Sequence, residues 1–144
     1  MKLTIDNSVL AEDFFSDAKI LGIVAPVKDY RFCWLLNQCL GCDFRLNSDI
    51  EIQLARKNRR YFFSVYEYGE AGTSLVHYIY NNQFEGEYLL PEFRHLDFLW
   101  LLKGDDVHDH YIHYLQQSIK NIQGVQLITQ LEKEKIRNKT HLVF

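Results

Sequence analysis

The chain has 144 residues, of which 47% are hydrophobic and 15% aromatic, and its formal net charge is −3. A chain of this length buries roughly 70% of the surface that its unfolded form exposes, so a core can form without disulfides or a metal. The charge balance excludes a disordered polyelectrolyte and a strongly basic nucleic-acid-binding arm. No apolar run reaches the roughly 20 residues needed to cross a bilayer, and the N-terminus has no signal-peptide core. We therefore expect one globular, cytoplasmic domain over residues 1–144.

The first third of the chain predicts a strand followed by a helix. Residues 1–18 are weakly patterned and are expected to be a weakly ordered N-terminal segment, with a short helix over 9–15. Residues 19–25 form an apolar run that ends at Pro26, which is typical of a buried strand. Apolar side chains then recur three and four positions apart over 30–40, which predicts a helix with Asp29 as its N-cap and Gly41 as its end.

The middle of the chain predicts a series of strands. Hydrophobic and polar residues alternate over 50–54, which is typical of a half-buried strand, and a basic turn follows at 56–60. Residues 61–68 and 74–80 are rich in aromatic and β-branched side chains and are separated by a glycine-containing turn, so we expect a hairpin. A short strand at 88–90 precedes Pro91. Residues 98–102 are the most apolar run and predict a central strand.

The last third predicts a second helix and a final strand. Asp105 and Asp106 are expected to open a helix that runs to about Ile122, and residues 125–131 to form the last strand. Residues 132–144 are charged and then apolar, and we interpret them as a C-terminal tail. The order β-α-β-β-β-β-α-β predicts an α+β fold, a mostly antiparallel sheet with two helices packed on one face.

The cysteines indicate a reducing compartment. Cys33, Cys39 and Cys42 are odd in number and clustered, which favours free thiols. Cys39 and Cys42 form a C-x-x-C pair, but at the end of a helical pattern, where the helix dipole disfavours a thiolate. We therefore interpret them as packing residues.

Two stretches carry a resemblance to a known family. The first, Asp-Tyr-Arg-Phe-Cys-Trp-Leu-Leu-Asn, covers residues 29–37. The second, Leu-Pro-Glu-Phe-Arg-His-Leu-Asp-Phe, covers residues 90–98, and Leu-Leu-Lys-Gly follows at 101–104. Together they resemble the small bacterial family called IPExxxVDY after its signature, of which Pro91, Glu92 and Asp97 are unaltered here. The resemblance extends from residue 19 to the apolar end at 142–144. It implies a cytoplasmic bacterial domain and brings no catalytic residue.

The residues of these two stretches are candidates for structural or partner contacts. Glu92 is expected to cap backbone N–H groups of the bridge that leads from Pro91 to the central strand, or to pair with Arg31 or Arg94. Arg31 lies where the helix dipole disfavours a cation, which points to an acidic partner such as Glu92 or Asp97. The alternative is that Glu92 and Asp97 act together in acid–base or metal chemistry. The candidate contact residues are Asp29, Tyr30, Arg31, Trp34, Pro91, Glu92 and Asp97.

A basic turn beside aromatic strands suggests a second kind of surface. Alternation places Tyr66, Tyr68, Tyr78 and Tyr80 partly on an exposed sheet face. Phosphate attraction combined with stacking is how some single-stranded RNA platforms bind. The candidate nucleic-acid contacts are Arg56, Lys57, Arg59, Arg60, Tyr66 and Tyr78. A solvated turn is the simpler interpretation, because β-sheets are tyrosine-rich in general.

The histidines at 108, 110 and 113 form a cluster near an expected helix start. His110 and His113, with Asp106 or Asp109, have a spacing that can ligate a transition metal. An exposed, acidic helix turn that happens to carry histidines is the simpler interpretation. We therefore expect no metal and no cofactor.

Taken together, the sequence favours a non-enzymatic protein–protein interaction module. Aromatic residues and arginine are preferred anchors at protein interfaces, and a homodimer through the sheet face or an edge strand is one such contact. The first alternative is an RNA-binding accessory protein that uses the turn at 56–60 and its tyrosines. The second is a small enzyme that uses Glu92, Asp97 or the histidine cluster.

Overall fold

The computed structural model of the chain describes residues 7–104 and 107–144. Over these residues the helices are α1 (Asn7–Phe15), α2 (Asp29–Leu40) and α3 (Asp109–Lys120). The strands are β1 (Ala18–Val24), β2 (Arg45–Leu46), β3 (Ile52–Arg56), β4 (Arg59–Phe63), β5 (Val65–Gly69), β6 (Val76–Asn81), β7 (Gln83–Phe84), β8 (Glu87–Tyr88), β9 (Phe98–Lys103) and β10 (Leu127–Leu131). Short 3-10 turns cover Pro91–Phe93, Lys133–Lys135 and Lys139–Leu142.

The fold is organised around an antiparallel sheet of six strands. Their order is β10-β1-β9-β6-β5-β2, and each pair of neighbours is antiparallel. In β9, Leu101 lies opposite Ile20 of β1 and Tyr78 of β6. Every residue of β9 except Lys103 is buried, which confirms the prediction of a central strand. The α+β class and the mostly antiparallel sheet are also confirmed.

One face of the sheet is covered by α2 and α3, as the sequence predicts. Trp100 lies opposite Leu21 and Ile79 in the register and is buried with them. The Phe32 ring of α2 stacks on Phe98 at 4.6 Å between ring centroids. The buried helix residues on this face are Phe32, Cys33 and Leu36 of α2, and Ile112, Leu115 and Ile119 of α3.

The opposite face is covered as well, which corrects the prediction of an exposed tyrosine-rich face. Helix α1, the β3–β4 hairpin and the C-terminal tail pack on it. Tyr80 is fully buried there, and its hydroxyl donates a hydrogen bond of 2.8 Å to the carbonyl of Leu142. Central strands apolar on both sides need a cover on both sides. Because this face is covered, we do not propose a homodimer contact through it.

Strand pairing differs from the predicted meander at Ser64. Residues 61–68 were expected to form one strand, but the chain changes partner there: β4 pairs with β3, and β5 pairs with β6 in the main sheet. Hydrophobic periodicity indicates which residues are buried, but it does not specify which strand pairs with which. The basic turn is a two-residue hairpin loop, since Lys57 and Asn58 both have positive φ, as a type I′ turn requires.

The helix starts also differ in detail from the prediction. Lys28 occupies the N-cap position of α2 and makes no side-chain cap, whereas Asp29 is the first helical residue. Helix α3 begins at Asp109, and the predicted opening residues Asp105 and Asp106 lie outside the described residues. Among the helices that the structure describes, none combines the length and the apolar character that crossing a membrane requires.

Gly22 of β1 packs closely against the side chains of Leu96 and Leu131. A Cβ built on Gly22 would overlap Leu96 Cδ1 and lie 3.3 Å from Leu131 Cδ2. Leu96 is 1% exposed, so it has little room to move aside. We expect Gly22→Ala to lower the free energy of unfolding by about 1–3 kcal/mol, measured by urea denaturation.

Gly69 provides the matched control for this substitution. It also lies in a strand of the same sheet, but a Cβ built there meets nothing within 4 Å. Gly69→Ala should be neutral or slightly stabilising. Equal losses in the two variants would contradict the packing explanation.

Candidate functional site

The outer face of α2 presents an exposed aromatic and basic surface, which we call the α2 surface and define by Tyr30, Arg31 and Trp34. Tyr30 is 66% exposed and Trp34 is 53% exposed, and the two lie one helical turn apart. The Arg31 guanidinium carbon lies 5.9 Å from the Trp34 ring centroid, within the range of a cation–π contact. Large exposed side chains of these types on a rigid helix are typical of a binding surface.

Asp29 fixes the start of α2 to the sheet. Its Oδ1 accepts a hydrogen bond of 2.9 Å from the Tyr30 backbone N–H, and its Oδ2 accepts one of 3.1 Å from the Tyr66 hydroxyl of β5. Burial raises the pKa of Tyr66, and the neighbouring Asp29 carboxylate raises it further, so the hydroxyl keeps its proton and stays a donor. Asp29 therefore acts as a positioning residue for the α2 surface.

The expected ion pair between Arg31 and Glu92 is wrong for the described residues. No carboxylate among them lies within ion-pairing distance of Arg31, whose guanidinium instead lies over Trp34. Exposed Arg31 therefore remains available to a partner.

Glu92 holds the C-terminal tail to the body of the protein. Its Oε2 accepts hydrogen bonds from the backbone N–H groups of Arg137 at 2.8 Å and Asn138 at 3.0 Å, and the Asn138 amide group donates to both carboxylate oxygens. Partial burial by itself would raise the pKa of Glu92, but these hydrogen bonds outweigh it and hold the pKa below its usual value. The sequence predicts that Glu92 caps the bridge that leads into β9, but the backbone groups it caps belong to the C-terminal tail, 45 and 46 positions away in sequence.

Asp97 fixes the end of β1. Its Oδ2 accepts a hydrogen bond of 2.8 Å from the Ala25 N–H, and its own backbone N–H donates to the carbonyl of Ile23 at 2.8 Å. Pro91 begins the 3-10 turn that leads from Leu90 toward Asp97. Glu92 and Asp97 are therefore each occupied by backbone contacts with different segments. The alternative in which they share acid–base or metal chemistry gains no support from this arrangement.

Asn82, which the sequence analysis missed, organises the loop that carries Pro91 and Glu92. Its side chain is fully buried, donates to the carbonyls of Phe93 at 3.0 Å and Leu96 at 2.9 Å, and accepts from the Leu90 N–H at 3.0 Å. A buried amide with all these partners satisfies backbone groups that the loop would otherwise leave unpaired. The only sequence signal was a polar residue directly after an apolar strand.

The structure does not bring the candidate nucleic-acid contacts together. Arg56, Lys57, Arg59 and Arg60 are exposed at the tip of the β3–β4 hairpin, and Arg59 is paired with Glu85. Tyr66 lies opposite Ile79, on the face covered by α2 and α3.

Tyr78 lies opposite Glu67 on the other face of the sheet, where Phe144 packs on it at 4.8 Å. Tyrosines on opposite, covered faces cannot form a single stacking platform. Alternation within one strand shows which residues share a face of that strand. The register between strands decides which face of the sheet that is, and the sequence alone does not contain it.

The histidine cluster is an exposed helix turn in the part of the chain that is described. His108, His110 and His113 are all exposed, and the rings of His108 and His110 stack at 5.6 Å. No group of three or more His, Cys, Asp or Glu side chains within residues 7–104 and 107–144 is arranged to hold a metal ion.

A chain of hydrogen bonds, buried at Trp100 and His77 and half-buried at Glu70 and Tyr111, links the sheet to α3 and was also missed from the sequence. The Trp100 indole N–H donates to Nδ1 of His77 at 3.0 Å, and His77 Nε2 lies 3.3 Å from Oε2 of Glu70. The same Glu70 oxygen accepts a hydrogen bond of 3.2 Å from the Tyr111 hydroxyl of α3. An indole can only donate, so Nδ1 of His77 is the unprotonated nitrogen and Nε2 carries the proton.

The three cysteines are free thiols with different surroundings. Cys33 is buried, Cys42 half-buried and Cys39 exposed, so the packing interpretation holds for the first two only. Burial, reinforced by the nearby Glu70 carboxylate, raises the pKa of Cys42 to about 11. At neutral pH this thiol is protonated, which agrees with a non-redox role for the C-x-x-C pair.

Comparison with known proteins does not place the chain in a family. No family model matches the sequence. No curated protein matches it either. The IPExxxVDY resemblance therefore stays a prediction, and function is inferred from the geometry described above.

Loss of the Glu92 contacts should loosen the tail. Removing a charged acceptor of several backbone and amide donors costs about 1–3 kcal/mol, so we expect Glu92→Ala to lower the free energy of unfolding by that amount. Because the pKa of Glu92 is lowered in the folded state, its contribution is present above the unfolded-state pKa and is lost as the pH falls. Urea denaturation at neutral and acidic pH measures both effects.

Exposed Glu134, in the same tail, is the control. Glu134→Gln should change neither the free energy of unfolding nor its pH dependence, and equal behaviour of the two variants would contradict the proposed contact.

His77 should remain neutral under mildly acidic conditions. Burial lowers its pKa from the ordinary value of 6.5, although the hydrogen bond to Glu70 opposes this. The unfolded chain takes up a proton at this residue that the folded chain does not, so folding is weakened as the pH falls below about 6.5. An NMR titration of the imidazole C–H signals should give a His77 midpoint below 6.5. A midpoint at or above that value would show that the Glu70 contact outweighs burial, which contradicts the prediction.

Proposed function

We propose that the chain is a non-enzymatic interaction module that binds an acidic partner protein through the α2 surface. The observation that carries this proposal is the exposure of Tyr30 and Trp34 one turn apart, with Arg31 over the indole. Tryptophan, tyrosine and arginine are the residue types most enriched among those that dominate binding energy. Packing of α2 onto the sheet through Phe32 and Leu36 supports the surface on a rigid base.

The charge around the surface supports an acidic partner. Lys28 and Arg31 are both exposed on this end of α2, and the Asp29 carboxylate is already occupied by Tyr66 and the Tyr30 N–H. A two-fold contact between two copies of this surface would place the same basic side chains against each other. An acidic rim on a different protein would complement them and speed association.

The contacts of Glu92 and Asp97 support a binding role over catalysis. Each carboxylate accepts hydrogen bonds from backbone N–H groups that hold the fold together. A residue used in this way is a poor general acid or base, because proton transfer would break the contacts that position it. The resemblance to the IPExxxVDY family supports placing the module in the bacterial cytoplasm.

Affinity capture from the native cell, after RNase treatment, tests the α2 surface. Loss of a dominant anchor costs about 2 kcal/mol or more, so Trp34→Ala should weaken the affinity for the specific partner by about 30-fold and reduce its recovery. Capture should also weaken with rising salt, because Arg31 contributes electrostatically. Tyr114→Ala is the control, since Tyr114 is an exposed aromatic residue on a different helix, α3, and is 66% exposed compared with 53% for Trp34.

Three outcomes would overturn the proposal. Equal recovery with Trp34→Ala and Tyr114→Ala would show that the α2 surface is not used. A dimer in light scattering that Trp34→Ala dissociates would assign the surface to a second copy of the chain. Capture that is seen only when RNase is omitted, and that is lost when Arg56, Lys57, Arg59 and Arg60 are neutralised, would favour the RNA-binding alternative.

A further inference from the structure

A cavity of about 340 Å³ lies between the C-terminal end of α2 and the middle of α3. Its floor is the sheet, and its position between two helices is a common place for small-molecule sites. The volume falls at the lower end of the range of about 300–1,000 Å³ found for ligand pockets. The side chains that matter for its chemistry are Tyr68, Glu70, His77, Trp100, Tyr111 and Tyr114.

The lining is aromatic with one carboxylate. Four aromatic side chains surround the space, and Glu70 is the acidic residue among them. Two further ionisable groups of the lining are held neutral: burial lowers the pKa of His77, and burial raises the pKa of Cys42 to about 11. Aromatic rings combined with a single carboxylate attract a cation in two ways, through the ring quadrupoles and through direct charge.

The hydrogen-bond partners in the cavity narrow the class of cation. Oε2 of Glu70, the lining carboxylate, already accepts hydrogen bonds from the Tyr111 hydroxyl at 3.2 Å and from His77 Nε2 at 3.3 Å. A primary ammonium carries three N–H donors, each of which needs an acceptor when it leaves water. A quaternary ammonium carries none, so aromatic surroundings with one carboxylate suit it better.

We propose that this cavity binds a small quaternary ammonium compound, with Glu70 as its counter-charge and Tyr114 as part of its aromatic wall. The Trp100–His77–Glu70 chain positions the carboxylate, since Glu70 lies in the loop between β5 and β6 and is fixed to the sheet through His77. The cavity is separate from the α2 surface, because Tyr30, Arg31 and Trp34 do not line it. The inference therefore goes beyond the proposed function and stands or fails independently of it.

The fluorescence of Trp100 provides the measurement. The chain has two tryptophans, so Trp34→Phe leaves Trp100, in the cavity wall, as the single indole. Choline chloride is the probe, and its uncharged carbon isostere 3,3-dimethyl-1-butanol is the control for size and apolarity. We expect a saturable change in Trp100 fluorescence with choline, with a dissociation constant of about 1 mM or below, and at least about tenfold weaker binding of the isostere.

Three further variants connect the fluorescence change to named residues. In the Trp34→Phe background, Glu70→Gln retains the size and an acceptor for His77 but removes the charge, and should weaken choline binding by about tenfold. Tyr114→Ala removes an exposed ring of the wall and leaves the core intact, whereas Tyr114→Phe retains the ring. We expect weaker binding with the alanine variant and binding close to that of the parent with the phenylalanine variant. Circular dichroism and thermal unfolding verify that each variant is folded.

Any of three results would overturn the proposal. The first is the lack of any saturable response to choline at about 10 mM in the folded Trp34→Phe protein, which would correspond to negligible affinity. The second is equal binding of choline and its isostere. The third is equal choline binding by the Glu70→Gln and Tyr114→Ala variants and their parent. If Glu70→Gln fails to fold, the comparison of Tyr114→Ala with Tyr114→Phe decides the outcome.

Discussion

The constraint on which the rest of this structure depends is that both faces of the central sheet are apolar. Strand β9 is buried along almost its entire length, so each face needs its own cover. Helices α2 and α3 cover one face, and α1, the β3–β4 hairpin and the C-terminal tail cover the other. Burying this apolar area is the main favourable term in folding. It also explains why the last residues of the chain belong to the core: Leu142 is fully buried under the sheet.

Because the core is apolar on both faces of the sheet, every polar group buried in it needs a hydrogen-bond partner. Asn82, His77 and Tyr80 are buried, and each is hydrogen-bonded to a group from another segment. The same requirement accounts for Glu92 and Asp97. Glu92, in the 3-10 turn at Pro91–Phe93, accepts from backbone N–H groups of the tail. Asp97, after that turn, accepts from the backbone N–H that follows the end of β1. The residues that the family resemblance singled out in this second stretch thus serve the fold.

The two places for which we propose binding both lie at the helices that cover one face of the sheet. The α2 surface is convex, aromatic and basic, whereas the cavity between α2 and α3 is concave, aromatic and carries a carboxylate. Because their charges are opposite, we propose different partners for the two: an acidic protein for the α2 surface and a small cation for the cavity. Both are held on a rigid layer of buried side chains, which keeps the cost of ordering them on binding low.

The sequence by itself determined the positions of β1, α2 and β9, because hydrophobic periodicity and the stop signals at Pro26 and Gly41 act locally. It also indicated Glu92 as a capping group. Only the tertiary structure decided what Glu92 caps, since Asn138 lies 46 positions away. The same holds for the pairing of β4 with β3, for the separation of Tyr66 and Tyr78 onto opposite faces, and for the meeting of His77 with Trp100. These features depend on cross-strand register and on contacts between distant segments, and no local pattern of residues carries that information.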